Sequence, residues 1–216
     1  VIAGPERKSR LINPDEKKII AYHEAGHAIV IASLPEADQV QKISIISRGL
    51  AAGYTIALPE EDLTLMSRKK LLAQMSGLLG GRASEELVFN DITSGAANDI
   101  ENVTELARKM ITRLGMSSSL GPMVYGKKDE LVFLGREIGE QRDYSEAIAE
   151  KIDQEVQQLV NNSYATARKI LVKYRSKLDE VANKLLESET MTREEFETIF
   201  PIPKPKNHGI PKPTAA

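Results

Sequence analysis

The sequence predicts a mainly α-helical domain with a small β-hairpin and a C-terminal antiparallel pair of helices. Aromatic residues make up only 5% of the 216 residues and tryptophan is absent, so the core must consist mainly of Leu, Ile, Val, Met and Ala. Such a core suits helices packed on helices. Long stretches carry apolar residues at helical spacing, and two short β-branched stretches follow the first of them.

The first helix is expected over residues 14–33. Asn13 is a good N-cap, Pro14 suits the first helical position, and the negative charge of Asp15 is favoured at a helix N-terminus. The apolar pattern then continues until Pro35, which cannot continue a helix. The whole segment therefore predicts one helix of about five turns.

The later elements are predicted from apolar periodicity and from turn residues. We expect strands over 40–47 and 53–58, helices from after residue 64 to about 89 and from about 98 to 114, a short strand over 131–134, two helices within 144–187, and a last short helix capped by Thr192 and Glu195. The second of these helices contains small residues that let another helix approach closely: Ser76, Gly77, Gly80, Gly81, Ala83 and Ser84.

The chain is expected to form one folded domain between two irregular ends. Residues 1–12 are interpreted as a linker, because no methionine begins the chain. Residues 13–199 are expected to fold, with a core over 13–115 and a C-terminal helical part over 144–199. Residues 200–216 are rich in Pro and Lys and predict a disordered tail.

Composition excludes several classes of function. The formal net charge is −2 and both signs are interleaved, which argues against nucleic acid as a partner. No cysteine occurs, so a metal could be held only by nitrogen and oxygen, and the composition fits a cytosolic location. No apolar run has the length of a membrane span, so the chain as given is expected to be soluble.

Residues 23–27 read His-Glu-Ala-Gly-His, and they carry most of the functional information. At about 100° per residue, His23 and His27 project from nearly the same helix face and can bind one zinc ion. Glu24 lies beside that position, where a carboxylate can take a proton from an attacking water and pass it to a leaving amine. This is the metalloprotease arrangement. The alternatives are a surface helix with two unrelated histidines, or a buried pair in which every ring nitrogen needs a partner.

A catalytic zinc site needs a third protein ligand, and here it must be Asp or Glu. The third histidine, His208, lies in the predicted tail and is expected to be exposed. Asp99 is one candidate, although it also reads as an ordinary aspartate at a helix N-terminus. Glu85 or Glu86 is the other, although both could belong to a solvated helix face. Spacing alone leaves these alternatives open.

Several separated motifs together resemble the peptidase domain of the FtsH family of membrane-bound AAA+ zinc proteases. They are His23-Glu-Ala-Gly-His27, Gly53-Tyr-Thr55 with Leu58-Pro-Glu-Glu-Asp62, Gly80-Gly-Arg-Ala-Ser-Glu-Glu86, Ser94-Gly-Ala-Ala-Asn-Asp-Ile100, Phe133-Leu-Gly-Arg136 and Tyr144-Ser-Glu146. The resemblance covers nearly all residues from 1 to about 199.

The resemblance implies a role for particular residues. It assigns the third zinc ligand to Asp99 and makes Glu85 a residue that orients a ligand histidine. The strand formed by Gly53, Tyr54, Thr55, Ile56, Ala57 and Leu58 resembles an edge strand that holds an extended substrate by backbone pairing. The implied activity is zinc-dependent cleavage of unfolded or membrane proteins in quality control, with Glu24 as the catalytic base.

The resemblance also implies partners that this chain does not carry itself. Family members have an ATPase module and transmembrane segments before this region, whereas no phosphate-binding Gly-x-x-x-x-Gly-Lys-Ser/Thr loop occurs in this sequence. We therefore expect ATP use and membrane anchorage in a longer parent protein, with this domain cytoplasmic and assembled as a homohexamer. A competing hypothesis is a helical oligomerisation module whose zinc is structural.

Overall fold

A computed structural model describes residues 13–47, 52–59, 65–126 and 143–201. In chain order the elements are α1 (Pro14–Ser33), β1 (Gln39–Ser44), β2 (Tyr54–Leu58), α2 (Arg68–Leu78), α3 (Gly80–Phe89), a 3₁₀ turn (Ser94–Ala96), α4 (Ala97–Thr112), α5 (Glu146–Lys173), α6 (Arg175–Ser188), β3 (Thr190–Thr192) and α7 (Arg193–Ile199). The mainly α fold predicted from the sequence is confirmed. The predicted linker, the predicted strand over 131–134 and residues 202–216 of the predicted tail lie outside the described residues.

Helix α1 is the central element of the fold, and its bounds are those predicted. The Asn13 side chain accepts a hydrogen bond from the Asp15 backbone N–H at 3.1 Å, and Pro14 occupies the first turn. From Ile20 to Val30 every residue is buried. A helix buried on all sides must contact several elements, and α1 packs against α2, α3, α6 and the sheet.

The segment predicted as one helix up to Phe89 is two helices, α2 and α3, which meet at Leu79. Ser67 caps α2 by accepting a hydrogen bond from the Lys70 backbone N–H. The break falls among Gly77, Gly80 and Gly81, where helix propensity is low. Periodicity alone did not show the break, because the apolar stripe continues across it.

Within the described residues, the sheet has three antiparallel strands in the order β2-β1-β3. The two predicted strands form the β1–β2 pair, in which Ile43 lies opposite Thr55. Strand β3 was not predicted, and it adds Met191 opposite Ile43 on the other side of β1. Strand β2 therefore lies at the edge of the sheet formed by the described residues, and it packs against α1.

The C-terminal part contains the predicted helices α5 and α6, joined at Tyr174. Helix α6 packs chiefly against α1 rather than along α5, and α5 packs against α2, α3 and α4. The predicted capping box of Thr192 and Glu195 begins α7. Phe200 is buried against Tyr174 and Phe196, so ordered packing extends into the first residue of the predicted tail.

In the part of the chain that the structure describes, no helix has both the length and the apolar character that a bilayer span requires.

Candidate metal centre

Helix α1 places the two histidines of the sequence motif side by side in the interior. His23 and His27 are 9% and 8% exposed, and their Nε2 atoms are 3.0 Å apart. The rings meet edge to face, with centroids separated by 4.7 Å. The hypothesis of two unrelated histidines on a surface helix is therefore wrong.

Asp99 completes the group from the first turn of α4. Its Oδ2 atom lies 3.2 Å from His23 Nε2 and 3.3 Å from His27 Nε2. Among the described residues, this is the one group of three or more His, Cys, Asp or Glu side chains that could hold a metal ion.

The hydrogen bonds on the far sides of the rings determine which nitrogens face the centre. His23 Nδ1 lies 2.6 Å from Glu85 Oε1, and His27 Nδ1 lies 2.8 Å from the Gly77 carbonyl oxygen. A carboxylate and a carbonyl accept hydrogen bonds but cannot donate them, so both Nδ1 atoms carry the proton. In the neutral imidazoles, both Nε2 atoms therefore direct lone pairs at the Asp99 carboxylate and at each other. Three acceptors without a donor need a metal cation or an added proton between them.

The separations also fit a tetrahedral ion. Nitrogen and oxygen ligands at about 2.0–2.1 Å from a tetrahedral zinc ion lie about 3.3 Å from one another. The observed separations of 3.0, 3.2 and 3.3 Å match that spacing. Three protein ligands leave a fourth position for water, as in catalytic zinc sites.

Glu24 lies beside this centre and is hydrogen-bonded to strand β2 of the sheet. It is 5% exposed, and its Oε2 atom accepts a hydrogen bond from the Thr55 hydroxyl at 2.7 Å. A Cβ atom on Gly53 would lie only 2.7 Å from Glu24 Oε1, so glycine leaves space for the carboxylate. Of the strand predicted to bind substrate, residues 53–58, the structure thus brings Gly53 and Thr55 next to Glu24.

The two glutamates that spacing could not separate from Asp99 have different positions. Glu85 is 1% exposed and bridges His23 to the Thr93 backbone N–H, which donates to Glu85 Oε2 at 2.8 Å. Glu86 is exposed and accepts a hydrogen bond from the Tyr164 hydroxyl on α5. Only Asp99 lies at the centre, Glu85 lies behind His23, and Glu86 lies outside the site.

Burial and ion pairs shift the pKa values of these groups. Burial lowers the pKa of His23, but hydrogen bonds to Asp99 and Glu85 outweigh it and raise the pKa to about 10. Burial raises the pKa of Asp99 and of Glu85, yet hydrogen bonds with the histidines, and for Glu85 with Thr93, bring both below the usual range. For Glu24, burial is the largest effect and raises the pKa. Without a metal, a proton on His23 takes the place of the cation.

Close contact between α1 and α3 positions the histidines. A Cβ atom on Gly26 would lie 2.5 Å from the Gly80 carbonyl oxygen, so only glycine permits the two backbones to approach this far. The Ser84 hydroxyl, fully buried, donates to the Tyr22 carbonyl oxygen at 2.6 Å. Sequence reasoning predicted that these small residues admit another helix, but it did not predict that Gly81 contacts the His23 ring.

Gly81→Ala is expected to displace His23. The added Cβ atom would lie 2.5 Å from His23 Cε1 and 2.6 Å from Cδ2, so the ring or one of the helices must move. Overpacking of this kind costs about 1–3 kcal/mol. We expect a lower unfolding temperature and weaker zinc binding, measured by thermal unfolding and by a competition assay with a zinc chelator. Gly95→Ala is the control, because its Cβ would lie 3.1 Å from the Thr93 hydroxyl oxygen and clear of the histidines. Equal zinc affinity for the Gly81→Ala and parent chains would contradict the expectation.

A buried helix that carries two histidines and a glutamate, completed by an aspartate and lying against an edge strand, defines the metallopeptidase class of site. The model of Peptidase family M41 matches residues 10–199. Over 201 residues the chain is 56% identical to the ATP-dependent zinc metalloprotease FtsH of Thermotoga maritima, a match that covers 93% of this chain and 33% of that protein. Over 213 residues it is 51% identical to the ATP-dependent zinc metalloprotease FtsH 1 of Thermomicrobium roseum, a match that covers 99% of this chain and 33% of that protein.

The chain belongs to peptidase family M41, which confirms the resemblance found in the sequence. It spans about a third of the length of the curated relatives it matches.

Proposed function

We propose that this chain is the proteolytic part of a zinc-dependent endopeptidase that cleaves unfolded or membrane-protein substrates. The main support for the proposal is that three potential metal-ligand atoms lie together: Nε2 of His23, Nε2 of His27 and Oδ2 of Asp99. The buried carboxylate of Glu24 lies next to them. The names of the relatives support the same metal and the same class of reaction.

His23, His27 and Asp99 would hold the zinc ion. When bound, zinc supplies Lewis-acid chemistry, which activates a water molecule as the nucleophile and polarises the scissile carbonyl. His23 is oriented for this by Glu85, and His27 by the Gly77 carbonyl oxygen. Both partners fix the tautomer that directs Nε2 at the metal.

Glu24 acts as the general base and then as the general acid. Burial raises its pKa, which brings the carboxylate closer to the pKa at which proton transfer near neutral pH is most efficient. It takes one proton from the attacking water as the new C–O bond forms. It then gives that proton to the amide nitrogen as the C–N bond breaks, so that the amine leaves neutral.

Strand β2 is the proposed substrate-binding element, over Gly53 and residues 54–58. Within the described ranges, β2 pairs with a strand only on its β1 side. The backbone groups of its other edge can pair with an extended peptide. An unfolded segment can adopt this extended conformation without first breaking its own structure, which favours unfolded substrates.

The remaining features of the proposal come from the relatives and from the family resemblance. The relatives are named as ATP-dependent proteases. We assign ATP-driven delivery of substrates and membrane anchorage to other parts of a longer protein. In that protein this domain is cytoplasmic and forms a homohexamer.

Cleavage of an unstructured fluorogenic peptide by the zinc-loaded chain tests the proposal. We expect cleavage that a chelator abolishes and that added zinc restores. A structural zinc in a helical oligomerisation module, the competing hypothesis, would need a fourth protein ligand, and the described residues place only three together. Zinc binding without cleavage, both in this chain and in the ATPase-containing protein, would favour that alternative.

Glu85→Gln tests the proposed role of Glu85. The change keeps the shape of the side chain but removes the negative charge of the group that accepts a hydrogen bond from His23 Nδ1, so we expect zinc affinity to fall about 10- to 100-fold. Chelator competition measures it. Glu86→Gln is the matched control, because the neighbouring Glu86 contacts Tyr164 and not the centre. Equal zinc affinities for the two variants would remove Glu85 from the proposed site.

Zinc binding is expected to release a proton. The pKa of His23 is raised to about 10, so in the metal-free chain near neutral pH this ring is protonated, and the proton must leave before Nε2 can bind the ion. Apparent zinc affinity should therefore fall about tenfold for each unit by which the pH drops below 10. Calorimetric titrations in two buffers with different protonation enthalpies measure the release. Identical heats in both buffers would show that His23 is already neutral.

A further inference from the structure

Thr55 joins the edge strand of the sheet to the carboxylate beside the metal centre. Its hydroxyl lies 2.7 Å from Glu24 Oε2 and 3.2 Å from the Glu24 carbonyl oxygen. A threonine hydroxyl has one proton, and the shorter contact to the charged acceptor is the stronger one. Thr55 therefore donates to the side chain of Glu24.

The bond fixes one carboxylate oxygen and leaves the other next to glycine. Glu24 Oε2 accepts from Thr55, whereas Oε1 lies beside Gly53, which has no side chain to cover it. A carboxylate that transfers protons must keep one oxygen directed at the reacting water, and an anchor on its second oxygen limits rotation about the last side-chain bond.

The position of Thr55 is itself fixed by the sheet. Thr55 lies opposite Ile43, which is fully buried in the central strand β1. Threonine is also branched at Cβ, so its first side-chain torsion has few accessible values in a strand. Glu24 on α1 is thus fixed relative to the strand over which the substrate is proposed to bind.

We propose that Thr55 is a positioning residue for the general base Glu24, and this rests on the function proposed above. The hydroxyl of Thr55 sets the orientation of the Glu24 carboxylate, so the strand that binds the peptide also aligns the group that moves the proton. A purely structural role would be different: the hydroxyl would only satisfy a buried carboxylate, and its loss would lower stability without changing the chemical step.

Thr55→Val and Thr55→Ser in the zinc-loaded chain separate these roles. Valine keeps the shape and removes the donor, and serine keeps the donor and removes the methyl group. We expect kcat for a fluorogenic peptide to fall about 10- to 100-fold in Thr55→Val with little change in KM, which is the effect of losing one hydrogen bond to a charged group in the chemical step. Thr55→Ser should retain most of the activity, and both should keep the zinc content of the parent chain.

Thr190→Val is the matched control, since it removes a hydroxyl from β3, the opposite edge strand of the same sheet. It should leave kcat unchanged. Combined with Glu24→Gln, the Thr55→Val change should cause no further loss, because residues that act as a unit are not additive. An equal fold-loss in both backgrounds would overturn the proposal.

A second measurement does not depend on turnover. The affinity of each zinc-loaded variant for a peptide hydroxamate, whose N–OH group donates to a carboxylate beside the metal, is measured by calorimetry. It should weaken in Thr55→Val and not in Thr55→Ser. If Thr55→Val does not unfold cooperatively, Thr55→Ala and Thr55→Ser provide the same comparison.

Failure of the positioning role of Thr55 and failure of the proposed function would give different results. If Thr55→Val cleaves the peptide as fast as the parent chain and binds the hydroxamate equally well, the positioning role is overturned and the proposed function stays intact. Zinc binding without cleavage, both in this chain and in the ATPase-containing protein, overturns the proposed function, and the hydroxamate affinities then still decide whether Thr55 orients Glu24.

Discussion

Glu24→Gln is expected to bind zinc like the parent chain and to lose peptide cleavage. Glutamine has the same shape, and its amide oxygen can still accept the hydrogen bond that Thr55 donates to Glu24 Oε2. It cannot take a proton from water, so the general-base contribution of about 10²- to 10⁴-fold is lost. The initial rate on a fluorogenic peptide, together with zinc content, measures the effect.

Glu16→Gln is the matched control, because Glu16 is exposed in the first turn of the same helix. It should cleave at the parent rate. Loss of zinc from Glu24→Gln would mean that Glu24 is structural. Retained cleavage with zinc bound would mean that another group accepts the proton.

Asp99→Ala is expected to lose both zinc and activity. The change removes one of three ligands and the only charged one, leaving two histidine nitrogens 3.0 Å apart. The loss of affinity should exceed the factor of about 10–100 typical of residues that only orient a ligand. Zinc content after dialysis against a chelator and the rate of peptide cleavage are the two measurements.

Asp91→Ala controls for the removal of a carboxylate from the same region, since Asp91 is exposed in the loop before α4. It should keep zinc. Full zinc occupancy in Asp99→Ala would transfer the third ligand role to Glu85 or Glu86. Because Glu86 is bound to Tyr164, Glu85 would then have to leave His23.

The features that sequence predicted well are local. The first helix follows from Asn13, Pro14 and the apolar run, since caps and periodicity act within a few residues. The spacing of His23 and His27 predicts their common face, because helix geometry fixes it. Thr192 and Glu195 predict the last helix for the same reason.

The features that sequence missed depend on distant partners. Strand β3 is only three residues long, and it exists because β1 offers it a pairing edge. The acceptor for His27 is the backbone carbonyl of Gly77, a group that every residue carries and that no pattern can distinguish. Asp99 could not be separated from Glu85 and Glu86 by spacing, because the choice depends on where α4 starts relative to α1. Family resemblance supplied that choice.

The break between α2 and α3 also bears on whether this centre could be moved to another protein. Gly77, in the last turn of α2, supplies the acceptor for His27. Helix α3 supplies Glu85 for His23, and α4 supplies Asp99. A designer who copied His-Glu-Ala-Gly-His onto a foreign helix would transfer two rings without the groups that set their tautomers. The smallest transplantable unit is therefore the interlocked set of α1, the α2–α3 corner and the start of α4. The five-residue motif therefore identifies the site, but an engineer would also have to rebuild the α2–α3 corner that orients its histidines.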